Sequence, residues 1–171
     1  MPIDAGEITL NDILMVHPFG NTLCMLEATG QQILDCLEMG ARDVPEENGS
    51  FQHVSGMSYE IHTYIPSSVS TDENGMFTGV ACEYRVKNVI IGSEPLALDK
   101  TYMLAAPNYL LKNQGGGMTM FNGCKLLLDE VALDNQVLIN YITSTLGGVI
   151  GEEYADPYGE GRIVAVEAPA D

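Results

Sequence analysis

The sequence predicts a mixed α+β domain. Short runs rich in β-branched and aromatic residues recur between turn residues, apolar residues at helical spacing follow Thr, Asp or Asn caps, and 46% of the 171 residues are hydrophobic. A chain of this length buries about 70% of its unfolded surface, so residues 1–171 are expected to form a single domain around one core.

Each element has a local cause. Thr9 with Asp12 makes a capping-box pattern and Pro18 cannot continue a helix, which predicts a short helix over residues 9–16. Residues 21–28 read as a strand; Thr29 then caps a helix whose Ile33, Leu34 and Leu37 form one stripe and whose stop is Gly40. Residues 42–50 are polar and loop-like. The segment 58–63 alternates, with Tyr59 and Ile61 on one face, as a half-buried strand does. The segment 66–79 carries serines, acids and glycine, and is expected to be an exposed, mobile loop. Residues 84–91, 102–106 and 162–166 read as further strands, and Pro107 as the start of a single helical turn. Asp134 or Asn135 is expected to cap a helix carrying Val137, Leu138, Tyr141, Ile142 and Leu146, ended by Gly147-Gly148.

Charge and spacing exclude several functions. Twenty-four acidic against seven basic residues give a formal charge of −17. Such a surface repels a phosphate backbone and excludes nucleic-acid polymers as partners, though not a mononucleotide. Cys24, Cys36, Cys82 and Cys124 lack C-x-x-C spacing and read as apolar fillers. His17, His53 and His62 form no metal-ligand pattern, so no metal or cofactor is expected in this chain; His62 is expected to face solvent. No apolar run approaches the ~20 residues that span a bilayer, and no signal-peptide pattern opens the chain.

Two segments point to ligand contact. In His17-Pro18-Phe19-Gly20-Asn21-Thr22 the aromatic sits between a residue that fixes φ and one that frees it, which presents the ring at a turn. His17 either lines a site beside Phe19 or is an exposed loop residue. In Gln114-Gly115-Gly116-Gly117-Met118 three glycines let the backbone approach a ligand closely or close a tight turn; without a following Lys-Ser/Thr this is no triphosphate loop.

With Gly6-Glu7-Ile8-Thr9-Leu10-Asn11-Asp12, Gly49-Ser50-Phe51-Gln52-His53-Val54-Ser55-Gly56, Pro95-Leu96-Ala97-Leu98-Asp99-Lys100-Thr101-Tyr102, Asn108-Tyr109-Leu110-Leu111 and the closing Gly159-Glu160-Gly161-Arg162-Ile163, these segments resemble, in order and over nearly the whole chain, the C-terminal domain of the 5'-nucleotidase family of exported metallophosphoesterases. The resemblance implies a layered α-β-β-α arrangement and a substrate-recognition role for a nucleoside or nucleotide. It implies further that two divalent metals reside in an N-terminal phosphoesterase domain outside this chain and that the parent protein is exported; the Asn-Gly-Gly-x-Ile-Arg element that in the family just precedes the Gly-Glu-Ile-Thr segment is missing from this sequence.

Carried over by residue, Phe19, Gly20 and Asn21 supply one face of the base site, with Asn108 as a neighbour. The family's second ring follows Gly-Gly-Asp-Gly. Here Gly115, Gly116 and Gly117 occupy that loop, Gly116 replaces the Asp, Met118 takes the ring's place, and Cys124 stands where an acid would bond the ribose hydroxyls. Stacking on an aromatic contributes about 1–3 kcal/mol and a hydrogen bond to a charged group about 1.5–3 kcal/mol, so both departures weaken nucleoside affinity. A sulfur contact from Met118 would recover about 0.3–1.5 kcal/mol. A degenerate, non-catalytic binding or interaction module is the alternative these departures allow.

Overall fold

The computed structural model describes residues 3, 5–156 and 161–168, so Gly159-Glu160 of the closing motif lie outside the described residues. Helix α1 (Leu10–Val16) starts at the Thr9–Asp12 capping box, in which Thr9 N–H donates to the Asp12 carboxylate at 2.8 Å. These bonds hold the Asp12 carboxyl below the usual carboxylate range. Helix α2 (Gly30–Ala41) starts at a second capping box between Thr29 and Gln32 and runs one residue beyond Gly40.

Strands β1 (Leu23–Thr29), β2 (Met57–His62), β5 (Val86–Ile91), β7 (Thr101–Pro107) and β9 (Ile163–Val166) fall where the sequence places them, shifted at their ends by up to two residues. Strand β7 pairs antiparallel with β1 from Leu23↔Pro107 to Thr29↔Thr101, and β1 pairs on its other side with β8 (Leu126–Leu128). A second sheet runs β6-β5-β2-β9, where β6 is Glu94–Pro95 and β9 lies parallel to β2.

Helix α2 packs against β1 of the first sheet and β5 of the second. It is therefore buried on several sides: Ile33, Cys36, Leu37, Met39 and Ala41 join Cys24, Leu26 and Ala28 of β1, and Tyr59, Ile61, Val86 and Val89 of the second sheet, in one core. Burial pushes the Cys36 thiol up to about 12, so it packs as a neutral group. Glu38 and Arg85, both buried, lock α2 to β5. The Glu38 carboxyl accepts from Arg85 N–H at 3.0 Å and Val86 N–H at 2.8 Å, while the Arg85 guanidinium donates to the carbonyls of Ala41, Arg42 and Val44 at the end of α2.

Several expectations are corrected. Residues 66–79 are not a loose loop: β3 (Val69–Thr71) and β4 (Phe77–Val80) form an antiparallel pair. The Asp72 carboxylate accepts from Asn74 and Met76 N–H, Gly75 takes φ +75°, and Val69 and Phe77 pack on the core. Helix α3 (Asn108–Leu111) starts one residue after Pro107. Helix α4 (Asp134–Asn140) has Leu133 at its N-cap, which carries no acceptor, so there is no side-chain cap, and Asp134 N–H donates to Asn21 O. It continues into a wider turn over Tyr141–Thr145, and none of its apolar residues is buried; α4 packs against α1. Cys82 is exposed rather than a filler. His62 is half-buried, with its ring nitrogens bonded to the Glu60 carboxylate and the Tyr64 hydroxyl. Among the described residues no helix is long and apolar enough to cross a membrane.

Candidate functional site

The turn after α1 presents Phe19 with 84% of its surface open to solvent. His17 ends the helix by donating its N–H to Ile13 O at 3.0 Å, and Gly20 takes φ +64°, a conformation that costs glycine little. The residues that follow the ring, Asn21 and Thr22, are bonded on two sides. Asn108, at the start of α3, clamps the turn: Thr22 N–H donates to Asn108 Oδ1 at 3.0 Å, and Asn108 N–H donates to Thr22 O at 2.7 Å. The same Oδ1 accepts from Tyr109 N–H at 2.9 Å. From the other side, Asp134 N–H donates to Asn21 O at 2.8 Å, and His17 Nδ1 lies 3.5 Å from the Asp134 carboxylate. His17 is thus engaged at the base of the turn.

The glycine loop approaches the protein's own chain. A Cβ on Gly115 would lie 2.2 Å from Tyr109 Cε1, one on Gly116 2.6 Å from Ser50 Oγ, and one on Gly117 2.4 Å from Gly75 O. Each glycine admits an internal neighbour, so the close approach expected for a ligand at Gly115, Gly116 and Gly117 is used in packing. Met118 is corrected as well. Left-handed φ of +65° at Gly116 and +83° at Gly117 turns the chain inward there, and Met118 lies in the core with 0% exposure. It offers no surface to a stacked base. Cys124 is half-buried against the core with Gln32 beside its thiol, which burial raises above the usual thiol range.

Phe19, Gly20, Asn21 and Asn108 therefore meet in one bonded unit, and the glycine loop reaches it through Tyr109. Met118 and Cys124 pack on the core instead. Sequence reasoning does not single out Tyr109, although its place between Asn108 and the glycine loop marks it. Lys112, just after α3, bonds to the Asp129 carboxylate at 2.6 Å and the Glu130 carboxylate at 3.0 Å. These partners hold its ammonium above the ordinary lysine range, and Lys112 holds Asp129 below the carboxylate range. Its charge is already neutralised, so it is poorly placed to hold a phosphate.

Two hollows lie elsewhere. A cavity of about 110 Å³ is lined by residues that include Ile33, Leu37, His53 and Phe121, and a cleft of about 980 Å³ by residues that include Ile8, Ile13, Ile142 and Tyr154. No expected site residue lines either, and Phe19 stands on an open ledge. Among the described residues no three His, Cys, Asp or Glu side chains gather as metal ligands. The ledge can supply ring surface and backbone hydrogen-bonding groups to a planar ligand.

Comparison with known proteins fits this arrangement. A family model for the 5'-nucleotidase C-terminal domain matches residues 1–123. The 5'-nucleotidase of Vibrio vulnificus (strain CMCP6) is 34% identical over 115 residues, which is 67% of this chain and 16% of that protein. The trifunctional nucleotide phosphoesterase protein YfkN of Bacillus subtilis (strain 168) is 47% identical over 57 residues, 33% of this chain and 4% of that protein. In structure, the 5'-nucleotidase precursor from Thermus thermophilus superposes with a TM-score of 0.73 at 27% identity, covering 95% of this chain and 28% of that one. The chain thus spans less than a third of the length of these relatives.

Proposed function

The chain belongs to the 5'-nucleotidase C-terminal domain family, and on that premise we propose that it is the substrate-recognition domain of a 5'-nucleotidase-like phosphohydrolase. Phe19 stacks on the base of a nucleoside or nucleotide. Asn108 keeps the Phe19 turn in place, with Gly20 and Asn21 forming its edge. The observation that carries this role is the open ring itself, on a turn whose following residues Asn21 and Thr22 are bonded to α4 and α3. Stacking favours a planar base of any sequence, because every base has a π face.

Catalysis belongs to the parent. Two divalent metals on its N-terminal phosphoesterase domain would supply activated water and phosphate polarisation. This chain would hold the leaving group, and it should hydrolyse nothing alone. An open ledge suits that division, since a second domain can close over it. With 24 acidic and 7 basic residues and Lys112 already paired, the phosphate must be held chiefly by the other domain. Export of the parent, to the periplasm, cell surface or medium, follows from the same family membership.

Burial of Met118 and the lack of a carboxylate at Cys124 favour a second role, a binding module whose nucleotide site has degenerated. Titration calorimetry with adenosine, uridine and their monophosphates separates the two. Phe19→Ala is expected to weaken nucleoside binding by about 1–3 kcal/mol, the contribution of one stacked aromatic, with little change in thermal stability because the ring is solvent-exposed. Equal affinity in the wild type and in Phe19→Ala would remove Phe19 from the site.

A further inference from the structure

We propose, resting on the recognition role above, that Tyr109 is the second ring of the ligand site, so that a planar ligand sits between Phe19 and Tyr109 and Met118 takes no part. Three features of the fold support it. Tyr109 is 55% exposed, whereas Met118 has no exposed surface. One atom joins the two segments that carry the rings: Asn108 Oδ1 accepts from the backbone N–H of Thr22, three residues after Phe19, and from the backbone N–H of Tyr109. The Tyr109 ring also has a dedicated seat, because a Cβ on Gly115 would lie 2.2 to 2.5 Å from three of its ring carbons. Glycine at 115 is thereby explained by the ring it carries.

The seat fixes one part of the ring against the loop and leaves the remainder open. Together with the neutralised Lys112, this selects for a neutral heterocycle held by stacking rather than for an anion held by charge. A nucleobase meets that description.

The test uses the whole chain and adenosine as the probe. Tyr109→Leu is expected to weaken binding roughly tenfold, as loss of one stacked ring does, while Tyr109→Phe and Met118→Leu keep wild-type affinity. The Tyr109 ring proton resonances of the wild-type chain should move upfield as adenosine is added, a ring-current effect that a purely structural tyrosine would not show. This readout decides the matter even if Tyr109→Leu fails to fold. Binding that is lost in Phe19→Ala, with Tyr109 resonances unmoved and Tyr109→Leu unaffected, overturns the Tyr109 assignment and leaves the recognition role standing. Absence of adenosine binding to the folded wild-type chain overturns both.

Discussion

Replacing Glu38 by alanine is expected to lower folding stability by roughly 3–5 kcal/mol, because two buried backbone donors lose their acceptor and each unsatisfied group costs about 1–3 kcal/mol. The donors are Arg85 N–H at 3.0 Å and Val86 N–H at 2.8 Å, at the start of β5, and the carboxyl that accepts from them has 0% exposure. The bonds from the Arg85 guanidinium to the carbonyls of Ala41 and Val44 do not involve Glu38 and would persist. Glu38→Gln restores one acceptor oxygen and should recover part of the loss. Urea denaturation followed by circular dichroism reads both variants. A midpoint for Glu38→Ala within error of the wild type would mean that the α2–β5 lock is not a main stabilising contact.

Gly30→Ala is expected to cost about 3 kcal/mol, against the direction that helix propensity alone gives. Alanine in a helix is favoured over glycine by about 1 kcal/mol. Here, however, a Cβ would lie 2.1 Å from Ala97 O and 2.9 Å from Leu98 Cα. Both are backbone atoms, and they cannot rotate away. Gly30 N–H donates to Lys100 O and Gln31 N–H to Leu98 O, each at 2.9 Å, so separating the segments would break the bonds that seat the first turn of α2 on the approach to β7. Overpacking of this kind typically costs about 1–3 kcal/mol or more. Gly49→Ala is the control: no atom lies within 4 Å of its Cβ position, and its stability should stay within about 0.5 kcal/mol of the wild type. A stabilised Gly30→Ala would show that the 97–100 segment yields easily.

What is legible in the sequence follows the range of the interaction. The starts of α1 and α2 are readable because Thr9 with Asp12 and Thr29 with Gln32 are three residues apart, and a capping box needs nothing more distant. The alternation of Tyr59 and Ile61 is readable for the same reason. The β3–β4 pair escapes sequence reasoning because its two core-packed apolar residues, Val69 and Phe77, make no alternating pattern, its bond from the Thr119 hydroxyl to Phe77 O comes from 42 residues away, and its Asp72 turn looks like ordinary loop composition. Strand β8 has three residues and owes its existence to β1, about 100 positions away in sequence.

The candidate site divides in the same way. Phe19 is legible, since Pro18 and Gly20 enforce the turn locally. The clamping role of Asn108 is not, because its partner Thr22 lies 86 residues away. Nor is the fate of Met118, which depends on left-handed backbone at Gly116 and Gly117. Three glycines in a row permit many paths, and Tyr109, Ser50, Gly75 and Met39 packed against them select one.

We propose that the base is held on the Phe19 turn. An amide ¹H–¹⁵N titration of the whole chain with adenosine tests it most directly. Shifts concentrated on Phe19, Gly20, Asn21, Thr22, Asn108 and Tyr109 are the predicted result. Shifts confined to the lining of the cleft around Ile13 and Ile142 or of the cavity around Leu37 and His53, or no shifts at saturating adenosine, would contradict it.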